Sequence, residues 1–264
     1  MTGITGHLVI RNGNKYDYPW KEALKSILPV VDEMIVLEAG SEDNTLEELR
    51  LLAKQNSQIE IIHGDWGPVG EAEQKRPFLA LSRLTNMCIE KVRTPWHFQI
   101  QGDEALHEDD LKTLMDLPNV LPEHIQAVSI PYTHFVANYS TTFPFMYQRI
   151  VRMARTSSGW HSTGDACHLI GTGAVYNSDV MMYHYGKVHP SNKAMLKEKD
   201  FQNMFTELGF PDPKLAEMGD AVDYFYLFDD AYKKGLFKTF EGTHPKVMAD
   251  RITKAKEDGW EQFR

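Results

Sequence analysis

The chain is 264 residues long with 42% hydrophobic and 25% charged residues, enough to bury a sizeable core and ordinary for a globular protein. A formal net charge of -9 argues against strong non-specific binding along a phosphate backbone, and no apolar run approaches the roughly 18 residues of a membrane span. The opening MTGITGHLVI lacks the basic region of a secretory signal, and Cys88 and Cys167 are too few for a disulfide framework, so a cytosolic location is expected.

GHLVIRNG reads as a short strand stopped by Gly13, and YPWKEALKSILPVV as a helix with Trp20, Leu24, Ile27 and Leu28 on one face. In DEMIVLEAGSEDNT the continuous apolar run Met34 to Leu37 predicts a buried strand and Gly40 punctuates the turn. Asp43 or Asn44 can cap the next helix, TLEELRLLAKQ, whose early Glu47 and Glu48 suit its positive end. A third strand, IEIIHG, a long helix over about 71–92 and a fourth strand, WHFQI, follow. This alternation predicts an α/β fold, Rossmann-like, with a mostly parallel mixed sheet flanked by helices.

Beyond Asp110 the pattern changes to a short helix at DDLKTLMDL, strands at QAVSIPYTHF and MYQRIVRMA, and a loop rich in Gly and Ser, RTSSGWHSTGDACHLIGTG. The later strands are expected to be mixed in direction. One domain over 1–190 and a helical C-terminal region over 191–264, beginning with NKAMLKEKDFQNMFTELGF, complete the expected organisation.

Ligands of open α/β sheets bind beyond the carboxyl ends of the strands. Arg11 with Asn12, the run Glu38 to Asp43, and the run Gln101 to Glu104 each follow a strand, so the three clusters should converge on one edge. The acidic stretch FQIQGDEALHEDDL at the end of the fourth strand is either a helix entry or an anchor for a hard divalent cation, which prefers oxygen ligands.

Three segments resemble a known family. VIRNGNKYDYPWKEALKSILPVVDEMIVLEAGSEDNT is similar to the opening of family 2-like glycosyltransferases of the GT-A fold, TPWHFQIQGDE to the strand that delivers their D-x-D motif, and YHYGKVHP to a downstream HYG segment of a subset. The resemblance covers about 8–190 and implies a nucleotide-sugar half over about 1–108 and an acceptor half over about 109–190. It implies transfer of a sugar from a nucleotide-diphosphate donor with Mn²⁺ or Mg²⁺, where the cation neutralises charge on the departing diphosphate.

By the same resemblance Asp103 and His184 are the expected metal ligands, and Glu104 an acid orienting ligand or water. Gln101 stands where the first Asp of D-x-D is expected, which removes a carboxylate and makes it a contact for the donor's ribose or sugar. Arg11, Asn12, Glu38, Ser41, Asp43 and Arg83 are the expected nucleotide-binding residues, with Asn86 a weaker match. Ala39 replaces a second Asp, which leaves the base open. Asp165 is the candidate general base toward the acceptor hydroxyl. His107, His161, His168 and His189 are read as structural, and Trp160 as a platform for an acceptor sugar. The alternatives are a nucleotidyltransferase or pyrophosphorylase, against which RNGNKYDYP offers only one glycine, and a catalytically degenerate sugar-nucleotide-binding module. The acceptor, a glycan, a small molecule or a modified nucleic-acid base, is not specified, and the net charge disfavours the last.

Overall fold

Strands β1 (Ile4–Ile10), β2 (Glu33–Glu38), β3 (Ile59–His63) and β4 (Trp96–Gln99) form a parallel block in the order β3-β2-β1-β4. Helices α1 (Trp20–Ile27) and α2 (Thr45–Gln55) make the first two crossovers. The apolar stripe expected of α1 is the one buried: Trp20, Leu24 and Ile27 are fully enclosed and Leu28 nearly so, packed with Ile4, Leu8, Met34, Val36 and Phe98. The computed structural model describes residues 2–190, 192–194, 196, 197, 199, 200, 231 and 233–259.

The helix expected over 71–92 is instead two, α3 (Gly70–Lys75) and α4 (Leu79–Ile89). Pro77 explains the break, because proline lacks the N–H for the helical ladder and pushes the residue before it out of helical geometry; Arg76 sits at φ -141°, ψ 75°.

After β4 the sheet becomes mixed, as expected. Strand β5 (Glu104–Leu106) and helix α5 (Leu111–Val120) lead to β6 (Ile125–Val136), and β7 (Thr141–Thr142) precedes β8 (Arg149–Arg155), which lies antiparallel between β4 and β6. A small hairpin, β9 (His161–Ser162) with β10 (Leu169–Ile170), interrupts the Gly- and Ser-rich loop. Then β11 (Ala174–Asn177) and β12 (Met182–Lys187) both add parallel to β6, and β12 also pairs antiparallel with β5. That double pairing draws the chain around 104 against the chain around 184.

The C-terminal stretch contains more than helix. Strand β13 (Lys238–Thr239) pairs with β7, and helix α6 (Ala249–Glu257) contributes Ala255 to a core shared with Phe135, Tyr139, Tyr185 and Met248. The segment expected to start the helical region is helical at the described positions of 192–200, and the rest of NKAMLKEKDFQNMFTELGF lies outside the described residues. No helix among the described residues is long and apolar enough to cross a membrane.

Candidate active site

The loops after β1 and β2 are knitted together by their own polar side chains. Asn12 adopts φ 54°, in a region asparagine tolerates better than most residues; its N–H donates to Ser41 Oγ at 3.0 Å and its Oδ1 accepts from the Glu42 N–H at 2.8 Å. Asp43 accepts from the N–H groups of Lys15 (2.6 Å) and Thr45 (3.0 Å), and Glu38 accepts from the Ser41 N–H at 2.5 Å. Burial pushes the Asp43 carboxyl up, but bonds from Thr45 and the backbone outweigh it and hold the group below its ordinary value. Glu38, Ser41 and Asp43 thus build the loops.

Arg11 reaches out from this scaffold, bonding Gly40 O at 3.4 Å and Glu42 at 3.3 Å, with its guanidinium 5.4 Å from the centre of the Trp66 ring. Arg83 supports the same wall from behind: it donates to Glu73 at 2.7 Å and to the carbonyls of Asp65 and Gly67 at 2.9 and 3.0 Å, fixing the turn that carries Trp66. Asn86 exchanges two hydrogen bonds with the Ser162 backbone and so fastens β9 to α4.

A cleft of about 630 Å³ opens beyond these strand ends. Arg11, Asn12, Gln101, Asp103, Asp165 and His184 line it, so six of the sequence-derived candidates meet in one place. Glu38, Ser41, Asp43, Arg83 and Glu104 are not among its lining residues.

Glu104 is fully buried beneath the floor, where Arg152, Tyr132 (2.8 Å) and the Gln101 N–H (2.8 Å) all donate to its carboxylate. Burial opposes the Arg152 charge, and Glu104, Tyr132 and Tyr147 together hold the guanidinium above its ordinary value. A carboxylate enclosed this way touches no ligand; it orients the turn that presents Asp103. Gln101 has a similar duty. Its Oε1 accepts from Arg152 at 3.1 Å while its Nε2, with that of Gln99, donates to the Ala166 carbonyl (3.2 and 2.7 Å). Aspartate cannot donate to that carbonyl, which gives a physical reason for Gln in place of the expected acid.

Asp103 and His184 face each other across a small gap, with Asp103 Oδ2 3.7 Å from His184 Nε2. Gly186 borders the gap: a Cβ there would stand 2.6 Å from Asp103 Oδ2 and 2.8 Å from His184 Nε2, so only glycine leaves it open. Burial pulls the His184 imidazole down to about 3 against the pull of Asp103, and it is neutral at physiological pH. Burial raises the Asp103 carboxyl, while His184 and Lys197 offset this and hold it below its ordinary value; with His184 uncharged at neutral pH, Lys197 is the partner that counts. A carboxylate oxygen and an imidazole nitrogen at this spacing suit a divalent cation accepting mixed N and O ligands, Mn²⁺ more readily than Mg²⁺. Among the described residues no group of three or more His, Cys, Asp and Glu side chains is arranged to enclose a metal.

Three lysines, Lys15, Lys187 and Lys197, also line the cleft, together with Asp200. Lys15 and Tyr16 both bond Asp200 (2.8 and 2.6 Å), Lys193 donates to Lys15 O at 3.0 Å, and Lys197 donates to Gly186 O at 2.6 Å while lying 4.6 Å from the Tyr18 ring. Sequence reasoning missed Lys15, Tyr16, Tyr18, Trp66 and Lys197, which carry no motif. Asp165 is exposed at the cleft edge, where its Oδ1 accepts from the nearby Cys167 N–H at 3.2 Å and its carboxylate also bonds the Cys167 side chain. Trp160 is a correction: it is 7% exposed, packs with Ala127, Ala154 and Leu169, and donates to Thr172 O, so it is core and no acceptor platform. His107 bonds Asp109 N–H and Thr243, and His189 bonds Gly186 O, in keeping with structural roles.

No protein-family model matches the chain, and no curated protein matches it. Among solved structures, residues 1–349 of S. aureus TarS are 12% identical, with a TM-score of 0.44, over 88% of this chain and 74% of that one. The mannosyltransferase PcManGT from Pyrobaculum calidifontis, in complex with GDP-Man and Mn²⁺, is 13% identical, with a TM-score of 0.48, over 96% and 79%. Glucosyl-3-phosphoglycerate synthase from Mycobacterium tuberculosis, in complex with Mn²⁺, UDP and glucosyl-3-phosphoglycerate, is 15% identical, with a TM-score of 0.41, over 79% and 81%. These are what the chain resembles, at a distance that assigns it to none of them.

Proposed function

We propose that the protein is a glycosyltransferase of GT-A type that takes a sugar from a nucleotide-diphosphate donor, with a divalent cation held by Asp103 and His184. The observation that carries this reading is the gap between those two side chains, kept open by Gly186 at the floor of a cleft at the strand ends. When bound, the cation supplies neutralisation of negative charge on the departing diphosphate.

The chain's own residues do the rest. Lys187 and Lys197 bring positive charge to the cleft wall where a diphosphate would lie, while Lys15 there is paired with Asp200. Arg11 and Trp66 form an arginine-over-indole surface beside Val9 and Leu81, an apolar and cationic setting for a nucleobase. Asn12 lines the same end, while Glu38, Ser41, Asp43 and Arg83 act by holding it in shape. Asp165, which lines the cleft and is exposed to solvent, is the group to accept a proton from the acceptor hydroxyl. The nucleoside end of the donor would lie against 1–108, while its diphosphate would also meet His184, Lys187 and Lys197 from the later half.

The test is a thermal-shift screen of nucleotide-diphosphate sugars with and without Mn²⁺, followed by turnover of the best binder, because a ligand that binds only the native state raises its melting temperature. A stabilising donor that needs Mn²⁺ and is hydrolysed or transferred supports the enzyme; loss of both effects in Asp103→Ala assigns them to this site. Binding without any turnover would support the binding-module reading, and indifference of every donor to Mn²⁺ would remove the metal.

A further inference from the structure

A neutral imidazole ligates a metal only through the nitrogen that carries no proton, so His184 serves the gap only as one of its two tautomers. Nothing on the metal side selects that tautomer, because Asp103 Oδ2, itself an acceptor, would favour a proton on Nε2. The selection comes from the other side of the ring. His184 Nδ1 lies 3.1 Å from Nδ1 of His134, and Nε2 of His134 lies 2.7 Å from the Tyr147 carbonyl oxygen.

A carbonyl oxygen can only accept, which fixes the proton of His134 on Nε2 and leaves its Nδ1 as a lone pair. The His134 to His184 bond is then satisfied only if His184 donates from Nδ1. His184 Nε2 is thereby stripped of its proton and aimed at the Asp103 gap. The 3.7 Å separation there agrees, since an N–H facing a carboxylate closes to about 2.8 Å.

From this geometry, and resting on the metal-site reading above, we propose that His134 is a positioning residue that sets His184 in its ligating tautomer, through a relay running from the Tyr147 carbonyl. His134 is 4% exposed, and it faces His184 directly in the β6 and β12 register. It also packs edge-on against the Tyr147 ring, with centroids 4.4 Å apart, and stacks on the Tyr132 ring at 5.4 Å. Sequence reading could not reach it, because His134 is a lone histidine on a strand with no motif around it.

Three substitutions separate relay from packing. His134→Asn keeps an acceptor near the Nδ1 position but gives up the Tyr147 bond. His134→Gln places its amide near the Nε2 position, keeping the Tyr147 bond but losing the acceptor for His184. His134→Leu loses both. Nitrogen-15 NMR of the metal-free full chain reads the His184 tautomer directly, and calorimetric titration with Mn²⁺ alone reads its consequence.

The expected result is an Nδ1-protonated His184 in the wild type and in His134→Asn, and loss of that tautomer in His134→Gln and His134→Leu. Mn²⁺ affinity should fall about 10- to 100-fold in the latter two and stay within about threefold in His134→Asn. An Nε2-protonated His184 in the wild type, or Gln rescuing better than Asn, would overturn the relay. A wild type with the expected tautomer and no Mn²⁺ affinity would instead sustain the relay and sink the metal site, so the two failures are distinguishable. The wild-type NMR measurement stands even where a variant fails to fold.

Discussion

Gly186→Ala puts a methyl group into the gap on which the metal reading depends. The added Cβ would approach Asp103 Oδ2 to 2.6 Å and His184 Nε2 to 2.8 Å, whereas ordinary contact begins near 3.4 Å. Asp103 or His184 must therefore withdraw by several tenths of an ångström, and the space between them closes. Overpacking of this kind costs about 1–3 kcal/mol, which for a chain of this size lowers the melting temperature by about 2–12 °C. The fold should survive, and circular dichroism should be unchanged at 20 °C. Mn²⁺ affinity should not survive: a blocked coordination position should cost at least about 100-fold, or about 2.7 kcal/mol. Calorimetric titration of the variant with Mn²⁺ is the assay. Wild-type affinity in a folded Gly186→Ala protein would refute the reasoning, because no cation could then lie between those two side chains.

With Asp165 as the proposed base, Asp165→Asn should lower kcat at least tenfold while leaving donor KM and Mn²⁺ affinity unchanged; unchanged kcat would remove it as the base. Arg152→Met leaves the Glu104 carboxylate buried without its charge partner and should destabilise the protein by about 3–5 kcal/mol in urea unfolding, with the double variant Arg152→Met, Glu104→Gln less affected; equal losses would contradict the ion-pair account. Burial lowers the His97 imidazole to about 4, and its neighbour His7 is lowered as well, first by burial and then by His97. Both are neutral when folded, and the unfolded chain takes up their protons below about pH 6.5. His97 therefore stabilises fully above about 6.5, and that contribution is lost as pH falls toward about 4, a loss of about 3 kcal/mol over the window. Urea unfolding at pH 7.5 and 5.0 should show the drop, and a flat profile would contradict it.

The parallel half was written in local patterns, and that is why it was readable. Helix α2 occupies the whole of TLEELRLLAKQ, and the strands expected at the apolar run Met34 to Leu37 and at WHFQI are both present and buried, the second over Trp96–Gln99. Pro77 was a visible breaker inside an otherwise helical stretch, and its steric effect overrode the periodicity around it. Strand-end logic brought Arg11, Asn12, Gln101 and Asp103 to one edge, since a parallel sheet leaves its loops no other place to meet. Pairing between β5 and β12 is different: it depends on contacts between chain segments far apart, and only the resemblance at HYG pointed to His184. Gly186 belongs to that same segment, whereas Lys197 and His134 act through position alone. Trp160 misled because an aromatic in a Gly-rich loop reads as exposed, while the β9 and β10 hairpin folds it into the core.

The central claim is that a cation sits between Asp103 and His184. Anomalous diffraction from crystals soaked in Mn²⁺ with a nucleoside diphosphate tests it most directly. A peak within about 2.0–2.3 Å of both Asp103 Oδ2 and His184 Nε2, absent from Asp103→Ala crystals, is the predicted result. Density for the nucleotide with no manganese peak in that gap, or a peak held by other side chains, would contradict the account.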